Sequence, residues 1–74
     1  LRAELICDTG AYPNSPLGGA AFAISNCYRI PNLDIRGFEV MTNRHGPGAY
    51  RAPGNPQASF VIERLLDELA DRLG

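Results

Sequence analysis

Residues 2–8, Arg-Ala-Glu-Leu-Ile-Cys-Asp, alternate: Ala3, Leu5 and Cys7 fall on one face, Arg2, Glu4 and Asp8 on the other, and Ile6 breaks the pattern. A period of two predicts a half-buried strand. Asp8-Thr9-Gly10 and Tyr12-Pro13-Asn14-Ser15-Pro16 follow as dense turn chemistry. From Leu17 to Tyr28 the period changes, with Leu17, Ala20, Ala21, Ile24 and Cys27/Tyr28 at helical spacing. Ser15 is placed to cap this helix and Pro16 to fill its first turn. Gly18 and Gly19 each cost about 1 kcal/mol against Ala in a helix interior. That predicts a buried helix, packed closely on its neighbours and frayed at its start. Ile30-Pro31-Asn32 ends it, because the residue before a proline is pushed out of the α region.

A second strand is predicted from Leu33 to about Thr42. Its apolar phase slips at Gly37, since Leu33 and Ile35 precede in one register and Phe38 and Val40 follow in the other. A bulge or sharp bend at Gly37 is expected. Residues 43–56 hold three Gly and three Pro in fourteen, a density no regular element survives. Tyr50, Arg51 and His45 are not linker residues, so the stretch reads as an ordered loop with unusual backbone shapes. The final helix is the clearest element: Asn55 as N-cap, Pro56 at the first helical position and Gly74 as C-cap. Phe60, Val61, Leu65, Leu69 and Leu73 form its apolar stripe, widened by Ile62 and Leu66, and Glu68→Arg72 is a favourable i,i+4 pair. The predicted fold is α+β: strand, helix, strand, long loop, helix.

At 74 residues this is one small domain at most, and chains of this size struggle to offset a backbone ordering cost of about 1–2 kcal/mol per residue. Hydrophobic content of 45% with 20% charged residues is globular composition rather than disorder. The seven basic residues are all Arg, and eight acids bring the net charge to −1. That balance argues against a nucleic-acid binder of the usual basic kind or a membrane-surface protein. No apolar stretch approaches the ~18–20 residues of a membrane span, and a signal-peptide pattern is not seen at the N-terminus. A cytoplasmic location is expected, with a periplasmic parent left open. Cys7 and Cys27 are too few for a disulfide scaffold and are expected as buried free thiols. With no staple visible and Leu1 rather than Met at the start, residues 1–74 are expected to be a single piece of something larger.

The strongest chemical signal is the loop feeding the last helix. Arg51 lies four residues before Asn55, and a helix start offers free backbone N–H groups and a positive dipole. Gly54 permits close backbone approach. A fixed guanidinium beside a helix start suits an anion such as phosphate, carboxylate or a metal oxo group; the competing reading is that Arg51 caps loop carbonyls. His45 is the only histidine, so neither a His-based metal cluster nor a Ser–His–Asp triad can be built from this chain. The two cysteines lack activating neighbours apart from Arg29. Glu63, Asp67, Glu68 and Asp71 read as a solvated helix face. A complete active site is not expected within these residues.

Three ordered stretches carry a resemblance: Asn26-Cys27-Tyr28-Arg29-Ile30-Pro31-Asn32, then Thr42-Asn43, then Gly48-Ala49-Tyr50-Arg51-Ala52-Pro53-Gly54-Asn55-Pro56-Gln57-Ala58. Together they closely resemble the molybdenum hydroxylases, the xanthine dehydrogenase and aldehyde oxidase relatives, in their large molybdopterin-binding subunit. The resemblance covers essentially the whole chain and implies an internal fragment of a larger α+β molybdopterin-binding domain. It implies that Arg51 is a cofactor-binding residue lying at the molybdenum centre, as a neighbour of the metal rather than a firm ligand. It also implies that Pro53 faces the substrate, at a place where xanthine enzymes carry Phe. Those enzymes further carry a substrate-binding Arg nine residues before the matching Tyr, where this chain has Gly19. Both departures argue against a purine substrate.

The family's catalytic Glu, the remaining cofactor loops, and the iron–sulfur and FAD modules have no counterpart in this stretch. The leading expectation is therefore part of an oxidoreductase that hydroxylates aldehydes or N-heterocycles with water-derived oxygen. It would use molybdenum–molybdopterin and assemble with the rest of the large subunit. The alternative is a stand-alone binding or interaction module with an anion-binding loop at a helix start.

Overall fold

A computed structural model describes all 74 residues. It contains β1 (Arg2–Gly10), α1 (Leu17–Asn26), β2 (Asp34–Met41) and α2 (Asn55–Leu73), the α+β order expected from the sequence. The two strands pair in parallel from Arg2↔Asp34 to Asp8↔Val40, and α1 is the crossover that a parallel pair requires. Ala3 and Leu5 of β1 and Ile35 of β2 pack with Leu1 against a small core of Ala20, Ala23, Ile24 and Ala58. Alternation along β1 is as expected, with Ala3, Leu5 and Cys7 on the covered face and Ile6 exposed.

Several boundaries differ from expectation. β1 does not stop for a turn at Asp8 but runs on to Gly10, and its one register shift lies between Asp8 and Gly10. Thr9 is the inserted residue, fully buried, and its hydroxyl donates to the Val40 carbonyl at 3.3 Å. No bulge occurs at Gly37, which pairs with Leu5 in unbroken register. The apolar phase slip has another cause. Phe38 and Val40 lie on the sheet face opposite α1 and stay half exposed, so no packing within this chain sets their phase. α1 ends at Asn26, well before Pro31, with the Cys27 N–H closing on the Ala23 carbonyl. Cys27 is therefore exposed and Cys7 only partly buried, although both thiols are free. Pro16 rather than Ser15 is the N-cap of α1; the Ser15 hydroxyl is engaged with Glu39 on β2.

α2 shows the largest difference. Its buried residues are Ala58 and Ile62, continued by the partly buried Leu66. Phe60, Val61, Leu65, Leu69 and Leu73, the stripe the sequence favours, are all exposed. Glu63 is not simply solvated, because the Tyr28 hydroxyl donates to its Oε1 at 2.6 Å. That bond stabilises the neutral phenol and raises the Tyr28 pKa above its ordinary value.

Only 8 of 74 residues are buried, and the accessible surface is 5946 Å², against about 4,450 Å² for a compact monomer of this mass. The radius of gyration, 13.8 Å, likewise exceeds the roughly 11 Å of a closed chain of this length. The molecule is an open framework with uncovered apolar faces.

Candidate functional site

The loop between β2 and α2 is anchored at both ends. At the first, Asp8 Oδ1 accepts from the Gly10 N–H at 2.9 Å and from the Thr42 hydroxyl at 2.5 Å. Arg44 stands 4.0 Å from its other oxygen. These three, the Thr42 hydroxyl first, hold the Asp8 carboxyl below its ordinary pKa. The Ala11 N–H and Arg44 carbonyl (3.1 Å) and the Thr42 N–H and Gly10 carbonyl (2.8 Å) close the same corner. His45 is exposed there.

At the second end the backbone takes unusual shapes, as its composition predicts. Arg51 and Ala52 have positive φ, 26° and 56°, which L residues rarely adopt. Gly54, not Asn55, is the N-cap of α2, at φ 85°. Asn55 is thus the first helical residue and Pro56 the second, where the missing N–H costs nothing. The sequence pattern sets the cap one residue late because Asn is a good cap by type, whereas the fold needs left-handed backbone at that place.

This end docks on the start of α1, so two helix N-termini meet beside the loop. Around them lies a cleft of about 350 Å³ whose walls include Tyr50, Arg51, Pro53 and Gln57. Arg51 and Pro53, the two expected site residues, are therefore brought together. Arg51 is exposed and makes no hydrogen bond or ion pair within the chain, so it does not cap loop carbonyls. The Gln57 N–H, in the first turn of α2, also finds no backbone acceptor. A free guanidinium and a free helix-start donor on one cleft form a cationic lining suited to an anionic group. No group of three His, Cys, Asp or Glu side chains is placed to hold a metal ion. No helix is long and apolar enough to cross a membrane.

Comparison with known proteins decides the family. The family model of the molybdopterin cofactor-binding domain matches residues 1–74. The chain belongs to this family. As a molybdopterin cofactor-binding domain chain it is 41% identical over 51 residues to nicotinate hydroxylase hnxS of Emericella nidulans, covering 69% of this chain and 4% of that protein. It is 38% identical over 60 residues to the xanthine dehydrogenase of Calliphora vicina, covering 81% of this chain and 4% of the relative. It is 37% identical over 78 aligned positions to the aldehyde oxidoreductase of Megalodesulfovibrio gigas, covering all of this chain and 8% of that protein. No solved structure matches it. The resemblance to molybdenum hydroxylases is thereby established, and the chain spans only a small part of the length of its relatives.

Sequence reasoning expects α1 to pack closely and Gly54 to admit close backbone approach, but misses that the two meet each other. Gly19, Ala20, Gly54 and Ala58 form the contact that seats the loop on α1. Its signals in the sequence are Gly54, which permits close backbone approach, and an unusual density of small residues in α1.

Proposed function

We propose that residues 1–74 are one piece of the molybdopterin-binding subunit of an oxidoreductase that hydroxylates aldehydes or N-heterocycles with water-derived oxygen. The observation that carries this is the unpaired Arg51 guanidinium, held by left-handed backbone at the cleft where α2 begins. The residues present suit molybdopterin: Arg51 and the Gln57 N–H would face its anionic groups. The metal would be held by the pterin, since this chain offers no ligand cluster of its own. When bound, the cofactor supplies the two-electron oxidation chemistry. The chain supplies orientation and positive charge in a site that the rest of the subunit closes to water. Pro53, on the same cleft, would lie against the substrate. Iron–sulfur and FAD modules of the parent would carry electrons away, in a cytoplasmic enzyme without nucleic-acid or membrane partners. The open framework argues against the stand-alone module, because a self-sufficient domain would cover its apolar faces.

The test is a pair of variants in the full-length enzyme. A charge-assisted hydrogen bond in a shielded site is worth about 1.5–3 kcal/mol, and about 1.4 kcal/mol is tenfold. Arg51→Met should therefore cost at least tenfold in kcat/KM or in bound molybdenum. Arg44→Met, at the exposed corner, should cost little. Equal and small effects from both remove Arg51 from the site. Pro53→Phe should favour flat aromatic substrates over aliphatic aldehydes through ring stacking; an unchanged ratio of kcat/KM values removes Pro53 from the substrate wall. The 74-residue chain by itself should hydroxylate no aldehyde above a metal-free control.

A further inference from the structure

β2 is the only partner of β1, so one edge of β1 carries backbone N–H and C=O groups that no neighbouring strand takes up. Beside that edge stands α2. It packs against α1, yet its Cα atoms stay more than 8 Å from those of either strand. A groove of about 180 Å³ lies between, with Ala3 and Leu5 on the strand side and Val61 and Leu65 on the helix side. Val61 and Leu65 are exposed, although both are large and apolar. Arg2 and Glu4, whose side chains belong to the opposite sheet face, line the groove too, and no residue of β2 does. The groove therefore runs along the free edge of β1, and α2 overhangs it.

Neighbouring strands lie about 4.8 Å apart, so a strand added outside β1 comes to lie beneath Val61 and Leu65. Parallel sheets have both faces covered, and a sheet of two strands is marginal in water. We propose that this groove receives a third strand: an extended segment of the same subunit, outside residues 1–74, with an apolar side chain at every second position. The alternation follows from the pleat, since one face of the added strand meets Val61 and Leu65 while the other lies beside Arg2 and Glu4. The same subunit is the source because this chain spans only 4% to 8% of the length of its relatives. A second copy paired antiparallel through its own β1 would bring its own α2 over the same edge, where the two helices collide. The inference rests on the chain being one piece of a larger subunit and not on the placement of Arg51, so either can fail without the other.

The experiment reads amide hydrogen exchange of residues 3–7 in the full-length subunit. With a strand on each side of β1, every one of these amides should exchange at least about a hundredfold slower than in an unstructured chain. Slow and fast amides in alternation mark a strand paired on one side only, and overturn the proposal. Val61→Asp puts a charge over the added strand and should speed exchange at least about tenfold at the amides that face away from β2. Leu73→Asp, at the far end of α2, should leave them unchanged; equal acceleration by both variants overturns the proposal. If Val61→Asp does not accumulate, Val61→Ala should accelerate the same amides to a smaller degree, and unchanged exchange there overturns it. A photoreactive benzophenone side chain in place of Val61 then identifies the occupant. The captured peptide should come from outside residues 1–74, in a product of single-subunit mass. A product of larger mass, or none, overturns the proposal.

Discussion

The junction between the loop and α1 differs in kind from the far half of α2. At the junction, Ala20, Gly54 and Ala58 are buried and main-chain atoms approach closely. Beyond Leu66 every residue of α2 is exposed, Leu69 and Leu73 among them. The outer sheet face, with Ile6, Phe38 and Val40, is similarly bare. Both uncovered regions are richer in large apolar side chains than the junction is. Within this chain, packing is concentrated on seating one loop with small residues, while the large apolar surface stays uncovered. Size of side chain therefore misleads here: the tight contact is made of Gly and Ala, and the loose surface of Leu and Phe.

The sharpest way to break this comparison is Gly54→Ala. Left-handed backbone for a non-glycine residue costs about 1–3 kcal/mol, and the clash with main-chain atoms adds to it. Full-length subunit carrying this change should accumulate poorly, and any that folds should melt well below the unaltered protein. Normal melting would show that the junction is not tight. Next in size is Leu69→Ala. If the rest of the subunit covers this row, the change costs about 2–5 kcal/mol in the full-length protein. If the row faces water there too, the cost falls within about 0.5 kcal/mol, and denaturant unfolding distinguishes the two.

A smaller effect is expected at Asp8, which ties the first end of the loop. Its folded pKa lies below the ordinary carboxylate value, so its contribution is present above that value and is lost as pH falls through the lowered one. Asp8→Asn should leave less acid-limb slope in stability measured from about pH 5 downward. An unchanged slope would mean that the Thr42 and Gly10 bonds do not form. Smallest is Glu68→Gln, which removes the exposed i,i+4 pair with Arg72 and should shift stability by less than about 0.5 kcal/mol.

Local pattern was enough for the element order, the covered face of β1, the irregular loop and the existence of α2. Each of these follows from periodicity or from Gly and Pro content, which act over a few residues. The stretches around Tyr28 and Arg51 also carried the family. Three things needed the folded chain. The buried face of α2 is the Ala58–Ile62–Leu66 row, because helical periodicity shows that an apolar side exists but not which neighbour covers it. Gly37 carries no bulge, since Phe38 and Val40 turn away from α1 and a phase slip in one strand does not reveal its partner's register. The cap of α2 sits at Gly54 and α1 tolerates Gly19 for one shared reason. Two segments more than thirty residues apart in sequence come within backbone contact, and no local propensity encodes that distance.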